Sequence, residues 1–228
     1  WRINRVMAQI NNHEFYGLDT DYVTKHKELF DFFDSQNLDV EINDDFAELK
    51  TILTSKDKDD YAYDFDSAFE TFLDSATGFV LYLRYNNEVV ATYAAKRLSL
   101  PVFIEGMKLK YPGSYDTIDD FPGQSAYSSC QWVSKDHRGK KWGRVLDHLK
   151  KNLCFDLMKC ETNFAIHKSD LRDYQVNHLA YSNNQRLAVI PNGDVGGAGE
   201  VIDKEYWIAY STSTEWADKQ SEVKTLYT

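Results

Sequence analysis

Residues 125–157 change periodicity abruptly, from a strand-like run to a helical one, across a short basic turn. Ser125 to Val133, with Tyr127, Trp132 and Val133, reads as an extended run, whereas Trp142, Val145, Leu146, Leu149, Leu153 and Leu157 recur at helical spacing. Arg138 to Gly143 therefore falls at a helix N-terminus. A helix start presents unpaired N–H groups and about half a positive charge, an anion cradle before any side chain is counted. Gly139 and Gly143 allow a ligand close to the backbone. Arg138, Lys140, Lys141 and Arg144 add four cations within seven residues to a chain of formal net charge -10, so this turn reverses the global sign. A single diphosphate suits it.

Composition narrows the remaining classes. The 228 residues suffice for one large domain, and 43% hydrophobic with 14% aromatic content is ample for a packed core. No run approaches the length needed to span a membrane, and no charged-then-apolar leader pattern precedes the first strand-like run. Cys130, Cys154 and Cys160 are odd in number and lack metal-type spacing, which points to a reducing cytoplasm and no metal. The acidic balance argues against nucleic acid, which needs a basic face, and suits a cationic partner. No Gly-Lys-Ser or Gly-Lys-Thr occurs, which argues against a nucleotide triphosphatase.

Along the chain, residues 1–75 read as mostly helical. Val23, Leu29, Phe30 and Phe33 make one face, Phe46, Leu49, Ile52 and Leu53 a second, and Phe65, Ala68, Phe69, Phe72 and Leu73 a third. Thr54 to Asp60 reads as a connector. Phe79–Tyr85, Asn86-Asn87 and Glu88–Leu98 predict a hairpin, because two β-prone runs flank residues that tolerate positive φ. Pro101 to Gln124 reads as an irregular insertion. A helix from Trp142 to about Lys159, a strand at 163–168, a helix at 174–184 and a last strand at 205–211 follow, with 213–228 as a C-terminal tail. The glycines between Asn192 and Gly199 read as a flexible connection.

The six positions Arg138-Gly139-Lys140-Lys141-Trp142-Gly143 resemble the acyl-CoA pyrophosphate loop of the GNAT superfamily of N-acyltransferases: Arg or Gln, two residues, Gly, one residue, then Gly or Ala. Lys141 stands where that pattern has Gly. The element order is similar to the GNAT order from about residue 20 to residue 212, so the resemblance covers most of the chain. It implies one α/β domain over residues 1–228: a mixed, mainly antiparallel sheet flanked by helices, with a helical N-terminal extension at 1–75 and the acyl-CoA core at 76–212.

The resemblance further implies an N-acetyltransferase with acetyl-CoA or coenzyme A as co-substrate. Pantetheine would pair with Gln131, Trp132 and Val133 in a gap where two strands splay, and the diphosphate would rest on residues 138–144. A primary amine on a small molecule or peptide attacks the thioester directly, and a Tyr protonates the leaving thiolate. The run Asn177-His178-Leu179-Ala180-Tyr181 resembles the family's helix carrying Asn, Ala and Tyr. That implies Tyr181 as the acid, with Tyr174 as competitor, and Asn177 as a pantetheine contact; a half-buried aromatic and a surface Asn are the plainer alternatives. Glu105 and Glu88 are candidate bases that also read as surface carboxylates. His137 and His178 read as polar surface residues, and Cys130 as a core thiol. Two further classes stay open: transfer of longer acyl chains from acyl-CoA or an acyl-carrier protein, and a non-catalytic CoA-binding regulatory protein. Exposed aromatics leave a homodimer open.

Overall fold

The computed structural model describes residues 7–10, 13–16, 18–55, 78–190 and 203–224. The third amphipathic pattern at Phe65–Leu73, most of the Thr54–Asp60 run and the glycines at 193–199 lie outside these residues. The strands are β1 (Met7–Ile10), β2 (His13–Tyr16), β3 (Asp39–Asn43), β4 (Gly78–Tyr85), β5 (Glu88–Arg97), β6 (Ser114–Tyr115), β7 (Ser125–Val133), β8 (Thr162–Lys168), β9 (Asn183–Ile190) and β10 (Lys204–Thr212). They form one sheet in the order β1-β2-β3-β4-β5-β7-β8-β10-β9-β6. Only β2/β3 and β7/β8 are parallel neighbours among the described strands, so the sheet is mixed and mainly antiparallel. The hairpin forms at the expected place, with Asn86 and Asn87 at φ 52 and 65, the left-handed pair that a tight two-residue hairpin turn requires.

Helices cover both faces. Helix α1 (Thr20–Lys25), α2 (Lys27–Ser35) and α5 (Trp142–Asn152) pack on one, where Phe30, Phe33, Val145 and Leu149 meet Val40, Leu81 and Leu83. Helix α3 (Phe46–Ser55) and α4 (Leu100–Lys110) pack on the other, Leu49 and Leu53 against Val80 and Tyr82, Phe103 against Tyr127 and Phe164. Period-3.6 stripes on the helices thus meet alternating strand residues, as burial of apolar area demands. A π turn, Leu153–Leu157, extends α5 close to the expected end.

Four expectations are corrected. Residues 101–124 are not wholly irregular: α4 occupies Leu100–Lys110 because Pro101 sits in its first turn, where no amide hydrogen is needed. The helix expected at 174–184 stops early: α6 spans Arg172–Asn177, Ala180 turns the chain at φ 53, and β9 begins at Asn183. Among the described residues of the first 75, helices do predominate, but three unexpected strands stand beside them; in β3 the alternation Asp-Val-Glu-Ile-Asn buries Val40 and Ile42. Residues 213–224 are a helix, α7 (Ser213–Lys224), rather than a tail. Trp216 anchors it, 2% exposed, with its indole N–H donating to Asn152 Oδ1 at 2.9 Å.

Candidate functional site

Strand β7 is bent in its middle. Between the pairs Thr92↔Trp132 and Ala94↔Ser129, two residues of β7 oppose one of β5. This is a β-bulge. Cys130 supplies the extra residue at φ 59, a left-handed conformation unusual for a residue with a side chain, and its carbonyl accepts from Thr92 Oγ1 at 2.8 Å. The bulge has a consequence on the other side of the strand. Parallel pairing of β7 with β8 runs from Ser125↔Thr162 to Ser128↔Ala165 and then ends, although β7 continues to Val133 and β8 to Lys168. The two strands splay, and residues 129–133 have no pairing partner on β8 across the gap.

The basic turn closes one end of this gap. After β7 a 3-10 turn, Lys135–His137, leads into α5, whose N-cap is Lys141 at φ 65, ψ -3. The carbonyl of Lys141 accepts from the amides of Arg144 and Val145 at 2.9 and 3.2 Å, which starts the helix. The turn is braced internally: Ser134 Oγ lies 2.6 Å from His137 Nδ1, Arg138 Nε donates to the Val133 carbonyl at 3.2 Å, and the His137 ring stacks on Trp142 at 5.0 Å.

A cleft of about 400 Å³ opens here, lined by Gln131, Trp132, Val133, His137, Arg138, Gly139, Lys141, Trp142, Gly143, Arg144 and Tyr174. Among the described residues, three basic side chains, Arg138, Lys141 and Arg144, and no carboxylate line it. Gly143 lets strand and helix meet closely, since a Cβ there would lie 2.9 Å from Val133 Cγ2. Gln131 Nε2 donates to the Gly143 carbonyl at 3.4 Å. Two supports for an anionic ligand coincide at this end: first-turn amides of α5 without intrahelical acceptors, and the cationic side chains beside them.

Nine of the expected binding residues therefore meet in one cleft. Lys140 does not line it; its ammonium lies 4.5 Å from the Trp142 ring centroid and 5.6 Å from that of Tyr85. Asn177 is exposed at the end of α6 and also stands outside the lining. The structure does not bring Tyr181 to the cleft. It is 0% exposed, in the turn before β9 rather than on a helix, and its hydroxyl accepts from Lys150 Nζ at 3.0 Å and donates to Asn163 Oδ1 at 3.3 Å. Tyr174, on α6, does line the cleft. Burial raises its phenol pKa, the Asp147 carboxylate adds to this, and Arg144 opposes both, so the phenol carries its proton at neutral pH.

Glu105 on α4 and Glu88 at the start of β5 are exposed and outside the lining. Cys130 is buried, its thiol pushed up to about 11 by burial. His137 in the cleft wall and the bulge at Cys130 were the features that residue order did not reveal; His137 follows the strand by four positions, but nothing in Ser129-Cys130-Gln131 marks a bulge. Among the described residues no group of three His, Cys, Asp or Glu side chains is placed to hold a metal ion. No described helix is long and apolar enough to cross a membrane.

No family model matches the sequence, and no curated protein matches it. Solved structures do. The chain is similar to FeeM, an N-acyl amino acid synthase from uncultured soil microbes, at TM-score 0.53 and 9% identity over 82% of this chain and 97% of that one. It also aligns with the spermidine N-acetyltransferase of Vibrio cholerae in complex with CoA and spermine, at TM-score 0.48, 8% identity, 80% of this chain and 99% of that one. A mixed, mainly antiparallel sheet with a splayed parallel pair, and a basic turn leading into the helix beyond it, give the chain a GNAT-like fold.

Proposed function

We propose that the protein is an acyl-CoA-dependent N-acyltransferase that moves an acetyl group to a primary amine of a small molecule or peptide. The observation that carries this reading is the cationic cleft at the start of α5, free of carboxylates among the described residues, which opens onto the part of β7 that has no partner on β8. Arg138, Lys141 and Arg144 hold the diphosphate beside the helix amides. The amides of pantetheine pair with backbone groups of Gln131 to Val133, as a short extra strand pairs with a sheet edge. The amine attacks the thioester carbonyl, and the C–S bond breaks as the amide bond forms. Tyr174 donates its proton to the leaving thiolate, the role that the resemblance alone gave to Tyr181. An alkylammonium has a pKa near 10.4, so releasing the free amine at pH 7 costs about 4–5 kcal/mol. That proton leaves with water, since among the described residues no carboxylate lines the cleft.

The test begins with calorimetric titration of acetyl-CoA, followed by release of CoA thiol across a panel of amines. Micromolar binding, amine-dependent release and a loss of at least about tenfold in kcat for Tyr174→Phe are expected, the lower end of what a general acid contributes. Absence of binding overturns the reading; a loss in Tyr181→Phe with none in Tyr174→Phe overturns the choice of acid. A longer acyl group is the second reading, favoured by the likeness to an N-acyl amino acid synthase. Octanoyl-CoA run against acetyl-CoA separates the two.

A further inference from the structure

Helix α5 carries two lysines wholly inside the protein. Lys150 and Lys151 are each 0% exposed, and the one carboxylate between them, Asp147, is 2% exposed. Each ammonium nitrogen lies 2.9 Å from an Asp147 oxygen. Two amines on one buried acid is a costly arrangement, and apolar side chains of equal volume would fill the same space without removing charge from water. What the amines hold is therefore informative.

They hold different things. Lys150 Nζ donates to Asn163 Oδ1 on β8 at 2.8 Å and to the Tyr181 hydroxyl at 3.0 Å. Lys151 Nζ donates to the Leu179 carbonyl and lies 3.9 Å from the Tyr181 ring centroid. Leu179 is itself tied back to the cleft, because its amide donates to the Tyr174 carbonyl at 3.2 Å, beside the His178 amide at 2.9 Å. The Leu179 side chain is buried with Ala165, Tyr181 and Ala209, and Tyr174 packs against that group. A continuous path thus runs from Asp147 through Lys151 and Leu179 to the tyrosine in the cleft wall. Helix α6 has 6 residues, too few to hold its own geometry, so its C-terminal tie sets where Tyr174 points.

We propose that Lys151 is the positioning residue for Tyr174: by bridging Asp147 to the Leu179 carbonyl it fixes the end of α6 and aims the phenol into the cleft. This rests on the reading of Tyr174 as the acid, but the aiming itself is measurable without turnover. Lys151→Met and Lys150→Met remove one amine each from the same cluster at nearly constant volume, and only the first cuts the tie to Leu179. Tyrosine labelled with 13C at Cζ gives a resonance for residue 174, identified by its absence in Tyr174→Phe. In Lys151→Met this signal is expected to shift, while Lys150→Met leaves it in place. In the transfer assay Lys151→Met is expected to lose about tenfold in kcat with the Kd for acetyl-CoA within about twofold, and to cause no further loss when added to Tyr174→Phe.

An unmoved Tyr174 signal in folded Lys151→Met, or an equal shift in Lys150→Met, overturns the proposal. If Lys151→Met does not fold, Lys151→Arg keeps a donor for Leu179 and must keep the Tyr174 signal; its loss overturns the proposal equally. A shift in Lys151→Met in a protein that transfers no acyl group supports the tie and sinks only the transferase reading.

Discussion

Lys141→Gly separates the backbone of the basic turn from its charge. Lys141 holds φ 65, ψ -3 at the N-cap of α5, and its side chain makes no capping hydrogen bond. A residue with a side chain in this left-handed region costs about 1–2 kcal/mol, which glycine relieves. Glycine also loosens the unfolded chain, which opposes the gain by about 0.4–1 kcal/mol. A net stabilisation of about 0.5–1 kcal/mol is expected, a rise in Tm of about 1–4 °C for a domain of this size. Ligand binding should change in the opposite sense. An ammonium about 4 Å from a phosphate oxygen contributes about 1 kcal/mol in water-like surroundings, so its removal raises the Kd for acetyl-CoA about fivefold at low salt. Added salt narrows the gap. Lys141→Ala loses the same charge but keeps the strained backbone, so it should match the glycine variant in Kd and melt below it. Scanning calorimetry and titration at two ionic strengths read both effects. A glycine variant that melts below the wild type refutes the strain argument, and an unchanged Kd in both variants refutes the role of the charge.

The other expectations concern the cleft and the titrating interior. Gly143→Ala places a Cβ 2.9 Å from Val133 Cγ2; because Val133 is stiff at χ1, the start of α5 is pushed off β7. Binding of acetyl-CoA should weaken by more than about tenfold while Tm moves little, since the gain in helix propensity, about 1 kcal/mol, offsets the crowding. Asp156 is held down at about 2, first by its hydrogen bond with His26 and also by Lys25, against burial. Its contribution to stability is complete above the ordinary 3.8 and is lost as pH falls toward 2, so Asp156→Asn should flatten the acid limb of a urea-denaturation series over that window. Burial pushes Lys151 down from 10.5 to about 7, with Asp147 opposing and Lys150 adding. The folded state then binds fewer protons than the unfolded one between those values, stability rises with pH across the window, and Lys151→Met should remove that rise.

Local chemistry made the hairpin and the β7-turn-α5 unit legible in the sequence. Asn86-Asn87 and the switch from Ser125–Val133 to the Trp142–Leu157 spacing both act over a few residues. Where tertiary packing decided, residue order misled. Asn183-Asn184-Gln185-Arg186 is polar enough to hide β9, which exists because β10 and β6 pair with it on either side. Pro101 and Gly106 look like breakers, yet Phe103 and Met107, one turn apart, bury the inner face of α4. Within the candidate site, the contiguous loop residues could be read directly, whereas the two tyrosines could not be told apart: Tyr174 and Tyr181 flank a turn whose left-handed Ala180 no residue type announces. The three charges inside α5 were equally hidden, since nothing in the order Asp147-His148-Leu149-Lys150-Lys151 distinguishes buried charges from solvated ones.

The splay between β7 and β8 leaves a gap in the middle of a sheet, and a ligand that bridges it acts as a guest strand. On the proposed reading, amide hydrogens of Gln131 to Val133 that face the gap should exchange with solvent while it is open and become protected when the pantetheine of the donor occupies it. Pairing with the guest exists only in the folded chain, so its binding free energy adds to fold stability as RT ln(1 + [L]/Kd). If the proposed donor binds there, the resistance of this sheet to opening becomes a function of donor concentration, and hydrogen exchange at Gln131 to Val133 would read that concentration from inside the protein.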